Sequence, residues 1–346
     1  MNKRNVLLKV RDLEKEYLRT RGALRKRAVG VVKAVDKINF FIEEGETLGL
    51  VGESGCGKTT TGRCILRAIE PTAGEVTFHM SRDAKPIDMV GLDRDELREA
   101  RKSMAMIFQD PYSSLNPRMT IMEIVGEPLV IHKITANRRN LRNEVATLLE
   151  MAQLDPEYMD RYPHAFSGGQ RQRVAIARAL ALRPKFIVAD EPVSALDVSM
   201  QAQVLNLLIE LQQEFHLTYL FIAHSLAAVR YVSDRVAIMY VGKIVELAPK
   251  NELFLNPKHP YTEALISAVP KSDPRHKKEN VLLEGDIADP ANPPSGCYFH
   301  PRCRYAERIC KDKEPPFVNI GADEEHAHYV ACHFADTLDL LGVQRD

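Results

Sequence analysis

The sequence predicts an α/β chain built on a parallel sheet, and three observations carry that prediction. Short apolar runs recur at Leu48–Val51, Phe186–Ala189 and Leu217–Ala223, the signature of strands buried on both faces. Each run is followed by residues suited to chemistry rather than packing: Gly52, the pair Asp190 and Glu191, and His224. In open parallel sheets ligands collect at the carboxyl ends of the strands. Finally, two glycine-bearing segments stand where helices begin, and a helix start offers unpaired N–H groups and the positive end of its dipole to an anion.

The first of these segments is Gly52, Glu53, Ser54, Gly55, Cys56, Gly57, Lys58 and Thr59, with Thr60 next in the helix-like stretch that follows. It satisfies G-x-x-x-x-G-K-[ST] in the strand-to-helix context the motif requires. The glycines let backbone N–H groups curl around phosphates, Lys58 adds a charge for the β- and γ-phosphates, and Thr59 offers a hydroxyl to Mg²⁺. Cys56 reads as a small loop residue rather than a reactive thiol, although a helix start would depress its pKa.

The second segment, Ser167, Gly168, Gly169 and Gln170, opens the Ala-rich stretch 171–182. One nucleotide needs only one such loop, so a second suggests a nucleotide shared between two chains, each covering the other's phosphates. Between the two loops and beyond them lies the hydrolytic chemistry. Asp190 would hold Mg²⁺ through water, Glu191 would act as general base, and His224 would reach the γ-phosphate and keep water and base in line. Alone, an acidic pair after a strand is more often a loop and a cap; behind a phosphate loop in the same chain, the odds reverse.

Residues 5–80 read as short strands and turns, and residues 110–182, with helical spacing around Glu144–Met151, as a helical insert. Arg235–Leu247 alternates and carries a turn glycine, as a hairpin does. Proline then becomes frequent, at Pro257, Pro260, Pro270, Pro274, Pro290, Pro293 and Pro294, and a domain boundary is expected near 255–272.

The ordered set of Gly52–Thr59, Gln109, Ser167–Gln170, Asp190 with Glu191, Ser194 to Asp197, and His224 resembles the ATP-binding subunit of an ABC transporter over roughly residues 5–250. The resemblance implies a P-loop NTPase (RecA-like) core with an antiparallel β subdomain and the helical insert, residues 1–255, followed by a small cysteine-containing extension, residues 256–346. It implies a head-to-tail dimer with two nucleotides at the interface, Ser167–Gln170 of one chain facing the γ-phosphate on the other's loop. Gln109 would sense Mg²⁺ and the membrane partner, Asp197 would lie at the dimer seam, and Tyr17 would stack on adenine, with a core tyrosine nearly as good a reading. The segments Phe108–Pro117, Glu191–Val198 and His259–Pro270 look like the oligopeptide and dipeptide importers, and Pro192 to Ser194 like the second of their two different ATPase subunits. Related importers for nickel or glutathione share these segments. Ser225 departs from the family, which usually has Asp after the histidine.

The implied partners are a second ATPase subunit (a related chain or a second copy), two transmembrane permease subunits and, indirectly, an extracytoplasmic solute-binding protein. The implied place is the cytoplasmic face of the membrane, held peripherally. Composition agrees. The 346 residues carry 47 basic and 47 acidic side chains, a formal charge of +0, so no global attraction to nucleic acid is expected. No run approaches the 18 or more apolar residues of a membrane span, and the first ten residues have too short an apolar core for a secretion signal. The basic stretch Arg19, Arg21, Arg25, Lys26 and Arg27 reads as a solvated loop, with contact to anionic lipid as the sharper alternative.

Four of the six cysteines, Cys297, Cys303, Cys310 and Cys332, lie in the extension. Disulfides are disfavoured in a reducing compartment. The spacing Cys297-x₅-Cys303-x₆-Cys310 lacks the paired Cys-x₂₋₄-Cys of structural zinc sites and matches neither ferredoxin pattern. The family resemblance adds that several peptide-importer ATPases carry a similar motif, in some holding a [4Fe–4S] cluster; zinc and free thiols remain the alternatives. His300, His328 and His333 are possible substitute ligands, more simply surface or packing histidines. Two rival functions are a nucleic-acid-associated ABC ATPase, which would usually carry a long coiled coil or two cassettes, and a metal- or redox-sensing regulator.

Overall fold

The computed structural model describes residues 5–21, 27–80, 85–268, 283, 285–322 and 327–343. Along the chain run β1 (Val6–Arg21), β2 (Arg27–Glu43), β3 (Thr47–Val51), α1 (Lys58–Ile65), β4 (Ala73–Phe78), β5 (Ile87–Asp88), α2 (Arg94–Ala100) and β6 (Met104–Ile107). Four helices precede the next strand: α3 (Pro111–Ser114), α4 (Ile121–Ile131), α5 (Arg138–Met151) and α6 (Gly168–Leu180). Then come β7 (Phe186–Asp190), α7 (Val198–Phe215), β8 (Thr218–Ala223), α8 (Leu226–Val232), β9 (Arg235–Tyr240) and β10 (Lys243–Pro249). The chain closes with α9 (Lys250–Leu255), α10 (Pro260–Ser267), α11 (Arg308–Asp312), β11 (Val318–Asn319) and β12 (Tyr329–Val330). Among the described residues no helix is long and apolar enough to cross a membrane.

The chain divides into two compact units, both discontinuous in sequence. The first comprises residues 1–8, 42–47 and 78–223. Its strands β6, β7 and β8 are parallel, with Met104 opposite Phe186 and Phe186 opposite Thr218. Every residue of β7 and β8 is buried, as the unbroken apolar runs require. Helix α7 buries Val204, Leu205, Leu207, Leu208 and Leu211, a single stripe at helical spacing. Each such side chain stabilises the unit by roughly 1.5–3 kcal/mol.

The second unit comprises residues 9–41, 48–77 and 224–346. Here β3 runs parallel to β9, Leu48 opposite Arg235, and β9 folds back on β10. The two turn residues, Val241 and Gly242, both have positive φ, 41° and 80°, which is what a two-residue hairpin loop needs to match strand twist. The C-terminal segment extends this layer: β12 pairs with β10, placing Val330 opposite Glu246, and β11 pairs with β12. Glu246, fully buried, accepts the N–H groups of Lys258 and His259 at 2.8 and 3.0 Å and meets His328 Nε2 at 2.7 Å. A buried carboxylate without such partners would be strongly destabilising; with them it ties the strand, the start of α10 and the tail together.

The expectation of short strands in residues 5–80 needs correction. β1 and β2 span 16 and 17 residues. Leu8, Val10 and Leu13 are buried, so the charged residues between them mark an exposed strand face rather than turns. Irregularity is absorbed within the strands: Asp12 and Lys37 have positive φ, and Asn39 Nδ2 donates to Asp12 Oδ1 at 2.9 Å. Of the basic stretch, Arg19 and Arg21 belong to β1 and Arg27 to β2, so those positions are strand rather than loop. Arg25 and Lys26 lie outside the described residues.

Candidate functional site

In the second unit the phosphate loop leaves the buried strand β3 and enters α1. Gly55 and Gly57 have φ of +78° and +111°, conformations that L side chains rarely adopt. A Cβ at Gly57 would lie 2.1 Å from the Ala34 carbonyl oxygen, and one at Gly52 would lie 2.1 Å from that of Met239. Both glycines are therefore required by close backbone approach. Lys58, 5% exposed, donates from Nζ to Gly52 O at 2.7 Å and Glu53 O at 3.0 Å. The amine thus sits on the loop's own carbonyls. Ser54 and Gly55 are exposed, and Thr59 and Thr60, in the first turn of α1, are half-buried. Tyr17 presents an exposed ring with the Lys15 ammonium 5.0 Å from its centroid.

The expected depression of the Cys56 pKa is not what the structure shows. Burial pushes the thiol up, and the neighbouring Lys58 ammonium only partly offsets it, because 3% exposure leaves almost no water to solvate a thiolate. His224 is exposed at the start of this unit's last segment. The adjacent Ser225 has a plain structural use: its hydroxyl caps α8 by accepting the Ala228 N–H at 3.4 Å.

In the first unit the structure joins residues that the sequence separates widely. Gln109 Nε2 donates to Glu191 Oε2 at 2.8 Å. Glu191 has φ +47°, and its N–H donates to Ile222 O at 2.8 Å, so it leaves the strand through a left-handed turn secured to the end of β8. Asp190, 1% exposed, closes β7 just before it. Ser167 and Gln170 form a reciprocal cap on α6: Ser167 Oγ accepts the Gln170 N–H at 3.3 Å and Gln170 Oε1 accepts the Ser167 N–H at 3.0 Å. Gly168 is half-buried, and Gly169 is buried against Met200. Asp197 caps α7, accepting from Ser199 Oγ at 2.6 Å and Met200 N at 2.9 Å. Those bonds hold its carboxyl below the usual range. An apolar groove of about 220 Å³, walled by Met104, Met106, Phe108, Pro128 and Ala175, was not foreseen; these five residues come from β6, the turn after it, α4 and α6.

Two comparisons identify the whole. A family model described as "ABC transporter" matches residues 35–194, and one described as "Oligopeptide/dipeptide transporter, C-terminal region" matches residues 245–310. The oligopeptide transport ATP-binding protein AppF of Bacillus subtilis is 52% identical over 94% of this chain and 97% of its own length. The chain belongs to the ATP-binding subunits of the oligopeptide and dipeptide ABC transporters. A probable peptide ABC transporter ATP-binding protein of Sinorhizobium fredii, y4tS, is 50% identical over 95% of this chain and 90% of its own length. Among solved structures, the ATP-binding cassette MJ0796, a dimer bound to ADP and phosphate, is 30% identical with a TM-score of 0.60 over 70% of this chain and 99% of that one. The fold is thus that of a P-loop ATPase cassette, and the chain is an ABC-type ATPase.

The four cysteines of this ABC subunit converge. Cys297, Cys303, Cys310 and Cys332 line one small apolar cavity together with His259, Phe299, His300 and His333. Backbone N–H groups reach three of the sulfurs: Phe299 and His300 that of Cys297, Tyr305 that of Cys303, and Phe334 that of Cys332. Burial pushes these three thiols up to about 11. Among the described residues no three His, Cys, Asp or Glu side chains are gathered as one metal ion would need. The candidate substitute ligands have other partners: His328 pairs with Glu246, His300 Nδ1 meets Cys297 O at 3.0 Å and His333 Nε2 meets Lys313 O at 3.0 Å.

Proposed function

We propose that this subunit hydrolyses ATP in a dimer to drive import of oligopeptides or dipeptides through two permease subunits. The observation that carries the reading is the loop Gly52–Thr60, with its two left-handed glycines and its buried lysine amine on the loop carbonyls. Lys58 takes the β- and γ-phosphates and Tyr17 stacks on adenine. Ser167, Gly168, Gly169 and Gln170 act in trans on the nucleotide of the partner ATPase, which is a related chain or a second copy, and Asp197 lies at that seam. The dimeric state of MJ0796 supports this arrangement. Glu191 takes a proton from the attacking water, with Gln109 orienting its carboxylate and His224 holding the water in line.

Thr59, Gln109 and Asp190 each offer a side-chain oxygen of the kind that Mg²⁺, a hard cation, takes as a ligand. When bound there it would neutralise charge on the β- and γ-oxygens. The ATPase domain is taken as residues 1–255 with a helical insert at about 110–182, and the extension as 256–346. The groove walled by Met104, Met106 and Phe108 is assigned to the permease, so that closure of the dimer is passed to the membrane at the cytoplasmic face, with the solute-binding protein acting from the other side.

The cysteine cavity is assigned to a [4Fe–4S] cluster. Four sulfurs lining one cavity, three of them accepting backbone N–H groups, support this reading by ligand count. Bound there, a cluster would stabilise the fold of the extension because it binds the folded arrangement of thiolates and not the unfolded chain, a gain reduced by the cost of displacing the thiol protons. Anaerobic purification with iron, sulfide and zinc analysis tests this; zinc alone would overturn it. For the main reading, hydrolysis per molecule should rise with protein concentration and vanish in Lys58→Ala. A rate per molecule unchanged by dilution would overturn the shared site.

A further inference from the structure

The opening peptide of the phosphate loop is held from outside the motif. The Glu53 N–H donates to the Tyr261 hydroxyl at 3.0 Å, while the carbonyl of the same peptide, Gly52 O, accepts from Lys58 Nζ at 2.7 Å. A peptide group is planar, so directing its N–H onto Tyr261 fixes where its carbonyl meets the lysine. The Glu53 side chain is gripped separately. Arg302 Nη1 and Nη2 reach its two carboxylate oxygens at 2.8 and 3.2 Å, the forked geometry that suits Arg and not Lys.

Both partners are themselves immobilised. The Arg302 side chain is 6% exposed, and its guanidinium stands 6.0 Å from the centroid of the Tyr240 ring. Tyr240 in turn packs on Tyr261 and Phe299, with centroids 4.8 and 5.3 Å away. Arg302 belongs to the short segment between Cys297 and Cys303, and Tyr261 to α10. The charge sense is informative as well. A carboxylate in the second position of an anion-binding loop opposes its ligand, and a buried guanidinium on both its oxygens cancels that charge where water does little to screen it.

We propose that Arg302 and Tyr261 are positioning residues for nucleotide binding: Arg302 neutralises Glu53, and Tyr261 sets the peptide that holds Lys58. The inference rests on the reading of this loop as the ATP site. Neither residue touches the reacting atoms, so the effect falls on binding rather than on the chemical step.

The test uses the full chain, with MgATP binding followed calorimetrically beside steady-state hydrolysis. Arg302→Met is expected to weaken MgATP binding and raise the ATP KM about tenfold, with kcat changed less than about twofold. In a Glu53→Gln background the same change should recover most of that loss, because no uncompensated carboxylate remains. A residue that merely braces the extension predicts no recovery, since Glu53→Gln breaks the same brace. Should Arg302→Met fail to fold, Arg302→Lys is the working variant, with a loss of about threefold from the missing fork. Wild-type affinity in Arg302→Met or Arg302→Lys, or a double variant as weak as Arg302→Met, would overturn the proposal. A wild-type chain that binds no MgATP would instead remove the reading of the loop itself.

Discussion

Glu191→Gln separates the chemistry of this subunit from its architecture. The Glu191 carboxylate accepts from Gln109 at 2.8 Å, its N–H donates to Ile222 O at 2.8 Å, and its carbonyl accepts from Ser194 Oγ at 3.1 Å. Gln has the same shape, its side-chain oxygen accepts the same Gln109 bond, and the backbone contacts do not change. The left-handed φ of +47° costs about 1–2 kcal/mol for either residue, so it cancels in the comparison. Stability should therefore move by no more than about 0.5 kcal/mol. What is lost is the proton acceptor, an effect of about 10²–10⁴-fold on kcat, or roughly 3–5 kcal/mol of barrier. Phosphate release measured beside MgATP affinity gives both terms. A folded Glu191→Gln variant with kcat within about tenfold of wild type would refute the assignment of Glu191 as base.

Gly57→Ala should lower the unfolding free energy by about 2–4 kcal/mol in urea titration, since a Cβ there meets the Ala34 carbonyl at 2.1 Å on a backbone of φ +111°. Ser167→Arg should abolish hydrolysis while the isolated chain still binds MgATP, with about 1 kcal/mol of stability lost as the α6 cap disappears; impaired binding would argue against a site completed in trans. Burial pushes the Asp36 carboxyl up, but the Tyr298 hydroxyl, Lys243 and Lys33 more than offset it and leave it below its ordinary value of 3.8. A folded-state pKa below the unfolded one adds stability above about pH 4 that is lost as pH falls through the folded value. Urea midpoints should accordingly drop more steeply with acid in wild type than in Asp36→Asn, and parallel curves would remove this contribution.

How far the sequence reaches depends on the range of the interaction. The apolar runs of β3, β7 and β8 and the glycines of the phosphate loop were legible because neighbouring residues encode them: period, burial on both faces and left-handed backbone are local properties. The length of β1 and β2 was misread, since charged residues on an exposed strand face look like turn residues until the sheet is known. Cys56 is the unreactive loop residue the sequence suggests, but its pKa moves opposite to the depression expected of a helix start, because burial is not legible from the motif.

By itself, the sequence determined the family, the buried parallel strands and the glycine-rich turn from β3 into α1. Only the tertiary structure decided that Gln109 grips Glu191 across 82 residues, that Arg302 grips Glu53 across 249, and that four irregularly spaced cysteines share one cavity. Hydrogen bonds and ion pairs act over about 3 Å in space, and no spacing along a chain records which distant side chains folding will bring that close.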